Sequence, residues 1–317
     1  MSKTAFWALI VFLVIIPGRF AHAEPNVVVS LKPIHSIAAA VMEGVSTPIL
    51  LMEGATTPHG ASLKPSHVRR LNQADLIVWI GPSLESSIQR VVTQLDANIA
   101  IVTAMELPNM HLRLASPHDL HQGHEESEDH QEQENHDDDH GHERGEGSLD
   151  PHLWLDTHNM IVLANAIAAK LTAIDPDNAN HYQRNLAGLT TKLAEVDRDI
   201  MQALKPIQSA PFMVFHDAYG YFTDRYRLRQ VASLRAQPNV AGGIRRAQEI
   251  RQLIVEEGVK CIFTEPQFDD RFVRLVSEDQ TVDVSALDPL GASIPAGKDM
   301  YAALMRQLSR QFIDCLS

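Results

Sequence analysis

DPDNANHYQRNLAGLTTKLAEVDRDIMQAL, residues 175–204, is the stretch that decides the architecture. Asp175 followed by Pro176 reads as a helix N-cap and first helical position, because a carboxylate can accept from the free N–H groups of a first turn and proline lacks a donor that would go unpaired there. From Asp177 to Leu204 no proline and no glycine except Gly188 intervenes. Roughly 28 residues at 1.5 Å each make a rod of about 40 Å. A helix of that length suits a rigid connector between two lobes, and residues 175–206 are read as that linker.

On the N-terminal side, strand-like runs at 26–31 (NVVVSL), 46–52 (STPILLM), 74–80 (ADLIVWI) and 97–103 alternate with helical patterns at 34–42, 65–72 and 84–95. The segment 160–171 is apolar on nearly all sides and reads as a buried helix. On the C-terminal side, runs at 211–215 (PFMVF), 230–233, 259–264 (VKCIFT) and 281–287 (TVDVSAL) alternate with helices at 245–258, 270–278 and 299–316. Short apolar runs separated by helices indicate parallel sheets covered on both faces. The expected fold is α/β: two lobes of mainly parallel sheet flanked by helices, residues 24–174 and 207–317, joined by one long helix. No clear sequence repeat relates the lobes, only a similar alternation.

The first 23 residues carry Lys3, an apolar run from Ala5 to Ile16 and the small-x-small site Ala21-His22-Ala23, the pattern of a cleaved signal peptide. The expectation is an exported, soluble, periplasmic protein. Two cysteines, Cys261 and Cys315, are then free to form a disulfide that pins the C-terminal helix to the strand VKCIF; two buried thiols are the alternative. Two thiols are too few for a thiolate zinc site.

Net charge is −13, and residues 118–146 (HDLHQGHEESEDHQEQENHDDDHGHERGE) supply most of it, with twelve acidic side chains against one arginine. Acidity confined to one segment argues against nucleic acid as a partner. The same segment holds seven of the sixteen histidines: His118, His121, His124, His130, His136, His140 and His142. A segment so polar cannot offset its ordering entropy by burial, so a disordered loop is expected. Its imidazoles and carboxylates are ligands of borderline divalent metals, zinc above all. Without preorganisation, binding there should be weak and accessory.

Three isolated histidines are better placed. His59 follows the run ILLM, His152 lies in SLDPHLWLD, and His216 follows PFMVF; Asp288 follows TVDVSAL. In open α/β sheets, ligands bind at the carboxyl ends of strands. Each residue alone is weak evidence, since a lone loop histidine is more often surface than ligand. His35 reads as a helix-start residue near the cleft, His67 and His158 as helix-face residues, His111 and His181 as surface, and Trp79 and Trp154 as core.

Taken in order, PHGASLKPS (58–66), ADLIVWIGPSLE (74–85), DPHLWLD (150–156), VFHDAYGYF (214–222), FTEPQF (263–268) and LDPLG (287–291) resemble the solute-binding subunits of zinc ABC importers, the metal-binding cluster A-I that also contains manganese and iron binders. The resemblance covers essentially the whole mature chain. It implies two α/β lobes joined by a long helix, with metal in the cleft between them. It makes His59, His152 and His216 zinc ligands. Asp288, which completes the site in manganese members, ranks below them, a water or a nearby carboxylate being the other choice for the fourth position. Asp217 or Glu265 is expected to support a ligand from behind. Histidine rather than glutamate at position 216 favours zinc over manganese. The implied role is capture of Zn2+ as cargo and delivery to a membrane permease, by a monomer that is not an enzyme. The competing readings are a manganese or iron carrier and, on the plan of three histidines with an open position, a zinc hydrolase, which lacks an HExxH motif here.

Overall fold

The computed structural model describes residues 24–53, 57–115, 148–235 and 243–317. The expected signal peptide and the histidine- and acid-rich residues 118–146 lie outside the described residues. The N-terminal lobe runs β1 (Val27–Val29), α1 (Lys32–Val41), β2 (Ile49–Leu50), α2 (Pro65–Asn72), β3 (Leu76–Trp79), α3 (Ser86–Val92) and β4 (Ala100–Thr103). Its four strands pair in the order β2-β1-β3-β4, every pair parallel. After α4 (Thr157–Ile174) and α5 (Ala179–Leu204) come β5 (Pro211–His216), α6 (Gly220–Tyr226), β6 (Arg229–Arg235), α7 (Ile244–Glu256), β7 (Cys261–Thr264), α8 (Arg271–Ser277), β8 (Asp283–Ala286) and α9 (Met300–Leu316). The second sheet repeats the parallel arrangement, β6-β5-β7-β8. In each sheet the strand order reverses between the first and third strands, which opens a crevice at their carboxyl ends.

The connector is α5, 26 residues long. It is preceded by a 3-10 turn over Pro176–Asn178. The helix is thus slightly shorter than expected. Asp175 does not cap backbone N–H groups; its carboxylate accepts from the Tyr182 hydroxyl at 2.5 Å and the Asn178 amide at 2.8 Å, and the first turn winds tighter. The buried residues Tyr182, Leu189, Leu193, Val196, Ile200 and Leu204 recur at spacings of three, four or seven and form one stripe. That stripe packs on α4, α1 and α9. The result is one apolar core that crosses both lobes, from Val27 and Ile34 through Leu163 and Leu193 to Phe212, Phe263 and Phe312.

Two strands differ from expectation. β2 is only Ile49–Leu50, because Pro48 has no N–H to give the ladder. β6 is longer than the run 230–233, and Val231 bulges where the register shifts between Phe212 and Met213. Its arginines and glutamine suit an edge strand, and an apolar-run rule misses them. The Cys261–Cys315 disulfide is present, with Cα atoms 6.0 Å apart, and it fastens the end of α9 to the start of β7. Among the described residues no helix is long and apolar enough to cross a membrane.

Candidate metal centre

His59 stands in the loop between β2 and α2, where its backbone N–H donates to Thr57 Oγ1 at 3.3 Å. His152 caps the 3-10 turn Leu153–Leu155. His216 is the last residue of β5, at the point where the strand order of the second sheet reverses. These three sites, far apart in sequence, bring ring nitrogens to within 4.8 Å of one another. His152 Nε2 is 3.1 Å from His59 Nε2 and 3.4 Å from His216 Nε2. The cavity between them is walled by Trp154, Phe268, Pro289 and Leu290 and has room for about one water-sized sphere, 10 Å³.

Hydrogen bonds set the tautomers. His152 Nδ1 lies 2.8 Å from Asp150 Oδ1, and His216 Nδ1 lies 2.5 Å from Glu265 Oε1. A carboxylate oxygen accepts, so each Nδ1 carries a hydrogen, and each ring turns its Nε2 into the cavity. The two Nε2 atoms, 3.4 Å apart, face one another where a cation or a shared proton can hold them. Such carboxylate–imidazole pairs are the usual support of a metal-bound histidine, fixing the ring and raising its basicity.

The titration behaviour of the rings differs with their surroundings. Burial, and then the neighbouring His152 and His216, hold His59 down to about 2, so it stays neutral and available to a metal. Burial also works against a proton on His216, but the charge and hydrogen bond of Glu265, helped by Asp217 and Asp150, outweigh it and raise its pKa above 6.5. Burial pushes Asp150 up, yet its bonds to His152 and Arg113 prevail and hold it below the usual carboxylate range.

Asp288 does not join the three histidines. Its Oδ1 accepts from the Leu290 N–H at 3.0 Å and the Gln267 amide at 2.7 Å, and its Oδ2 from the Ala292 N–H at 2.5 Å. Of the two candidates for support of a ligand, Glu265 does so, while Asp217 accepts from the Gln230 amide at 2.8 Å. Asp150 was not anticipated. Its signal was the Asp-Pro-His spacing, which lets one carboxylate oxygen fold back on both the ring and the backbone N–H of His152, at 2.8 and 2.9 Å.

The other described histidines stay apart. His35 is buried with Nε2 at 2.9 Å from the Pro48 carbonyl, and His67 Nδ1 accepts from the Lys64 N–H at the start of α2. His111 pairs with Asp156 at 3.0 Å on the surface, and His158 and His181 are exposed. Trp79 is core. Trp154 is core and cavity wall together, its ring 5.2 Å from that of His152 and its indole N–H donated to the Pro289 carbonyl.

The family model for the periplasmic zinc-uptake complex component A, ZnuA, matches residues 27–315. The chain is 40% identical over 314 residues to the high-affinity zinc uptake system protein ZnuA of Brucella suis biovar 1 (strain 1330), covering 95% of this chain and 94% of that one. It is 34% identical over 310 residues to the protein of the same description from Yersinia pestis, covering 98% and 96%. A crystal structure of ZnuA superposes with a TM-score of 0.73 at 20% identity, covering 93% of this chain and 100% of that one. The periplasmic zinc binding protein TroA from Treponema pallidum gives 0.73 at 18%, with coverages of 93% and 100%. These last two speak for the two-lobed fold. With the family match running from β1 to the end of α9, the chain belongs to the periplasmic zinc-uptake component A (ZnuA) family.

Proposed function

We propose that this protein captures Zn2+ in the periplasm through His59, His152 and His216 and delivers it to the membrane permease of an ABC importer. The observation that carries this reading is the convergence of three imidazoles on a cavity the size of one ion, two of them backed by carboxylates. Neutral imidazole suits zinc, whereas manganese favours oxygen ligands, and the Asp288 oxygens are already engaged. The fourth position falls to a water or to Glu265, which also lines the cavity. On this reading, supported by the family match, the chain acts as a carrier and not as an enzyme, working as a monomer that leaves its first 23 residues behind on export. The lobes 24–174 and 207–317 flank the linker 175–206, and the seven histidines of 118–146 bind zinc weakly as an accessory.

A zinc titration against a competing chelator separates the two sets of histidines. His59→Ala should cost high-affinity binding far more than deletion of residues 118–142. Equal losses from the two changes would refute the assignment.

A further inference from the structure

We infer that Arg113 is a positioning residue for the metal site: through Asp150 it fixes the ring of His152, and through Asp224 and Asp217 it braces that half of the site against the lobe that carries His216. The inference rests on the zinc reading above and adds to it a residue that contacts no ligand atom.

Asp150 divides its oxygens. Oδ1 takes the ring and backbone N–H groups of His152, while Oδ2 takes Arg113 Nη1 at 2.8 Å. Among the described residues the guanidinium is thus the only other side chain hydrogen-bonded to the carboxylate that holds His152, and it completes a chain Arg113–Asp150–His152. Its Nε donates to Asp224 Oδ2 at 3.1 Å, and Nη1 lies 3.9 Å from Asp217 Oδ2, next to His216 in sequence. Asp224 is half exposed, so that arm is screened; Asp150 is 2% exposed, so the other is not.

The surroundings are fitted to this side chain. The backbone N–H of Arg113 donates to the Tyr221 hydroxyl at 3.1 Å, and that hydroxyl donates to the Asp150 carbonyl at 2.9 Å. The Asp150 N–H donates to the Arg113 carbonyl at 3.0 Å, beside the antiparallel bridge Leu114–Leu149. Opposite, Gly220 has no side chain to obstruct it. A Cβ there would stand 1.7 Å from Arg113 Nη1 and 2.1 Å from its Cζ, so any other residue must displace the guanidinium. A planar fork can serve Asp150 and Asp224 together, and a lysine ammonium cannot do so with the same geometry.

Charge and position make opposite predictions. A guanidinium near a dication repels it, so on charge alone its removal should tighten zinc binding. If Arg113 orients His152, its removal should loosen it. In the full-length protein, competition titration with Zn2+ should show Arg113→Gln weaker by about 10–100-fold, the usual cost of losing an outer support. Arg113→Lys should recover little of this. Combined with Asp150→Asn, the Arg113→Gln loss should largely vanish, since both changes break one chain; combined with Glu265→Gln, the losses should multiply. Gly220→Ala, which leaves Arg113 in the sequence but moves its head, should imitate Arg113→Gln and serves if that variant folds poorly. Co2+ bound in place of Zn2+ should show an altered visible spectrum in Arg113→Gln. Unchanged or tighter zinc binding in Arg113→Gln, or full multiplication with Asp150→Asn, overturns the inference. His59→Ala is the separate control: zinc binding that survives it overturns the site itself, whereas binding lost in His59→Ala but intact in Arg113→Gln overturns only the role of Arg113.

Discussion

Glu265→Gln isolates what a buried charge adds to an imidazole ligand. Glutamine keeps the length of the side chain and an oxygen for the His216 Nδ1–H, so the ring need not turn. The change removes a negative charge 2.5 Å from that nitrogen, at a residue only 3% exposed. Loss of such a partner costs about 10–100-fold in metal affinity, or about 1.4–2.7 kcal/mol. The second effect is on pH. Protons compete with the metal for the His216 ring, and the pKa of His216 is raised above 6.5 because Glu265 outweighs burial. Zinc affinity in the unaltered protein is therefore full above that raised value and declines as pH falls through it, starting above 6.5. In the glutamine variant burial keeps its lowering effect while its chief opponent is gone, so the decline moves to lower pH. The two affinity curves should stand furthest apart at about pH 8 and converge toward about pH 6, inside the imidazole range. The assay is competition against a chelator of known proton affinities across that interval. A variant that loses the same factor at every pH, or loses nothing, contradicts the argument that Glu265 acts through the basicity of His216.

Three further outcomes follow from the same geometry. Asp288→Ala should lower the melting temperature, because it strands the Leu290 and Ala292 N–H groups at about 1–3 kcal/mol each; zinc titration should fall less than in His59→Ala, and an equal fall would make Asp288 a ligand. Replacing Cys261 and Cys315 by serine reopens a loop spanning 54 residues and should cost about 4 kcal/mol in denaturant unfolding while zinc affinity holds; a loss of zinc binding in the folded variant would show that α9 also shapes the site. Burial raises Glu85 from 4.5 to about 7, so its folded form favours the proton and stability falls as pH rises from 4.5 to about 7. Glu85→Gln should then be more stable than the parent at pH 8 by up to about 3 kcal/mol, with the gain gone near pH 4; a gain independent of pH would exclude ionisation as its cause.

The two lobes and their connector were legible because strands buried on both faces are written as continuous apolar runs and a rod without proline can hardly be anything but helix. Boundaries were less so where the ladder, not the side chains, sets them: Pro48 trims β2, and the bulge at Val231 extends β6 through polar residues. At the site, His59, His152 and His216 could be picked out by position at strand ends and by resemblance, and the structure brings them together. Their supports were harder to see. Glu265 was one of two candidates, and only the reach from the end of β7 to His216 separates it from Asp217. Arg113 meets Asp150 across 37 residues, a juxtaposition that no local spacing encodes. Asp288 shows the reverse: its place in the sequence is that of a ligand, while its oxygens accept from the N–H groups of its own loop and from Gln267.

The narrowness of the cavity has a consequence for kinetics. Between Trp154, Phe268 and the three imidazoles there is no space for a hydrated ion, so cargo must exchange its waters for ring nitrogens on the way in. His59 is the least buried of the three and is the natural place for the first exchange. Ions are thereby sorted by how readily they dehydrate before affinities come into play. Magnesium, which gives up water reluctantly, is held at the entrance however abundant it is. Departure runs the same path backwards, with water taking back the places that the ring nitrogens held.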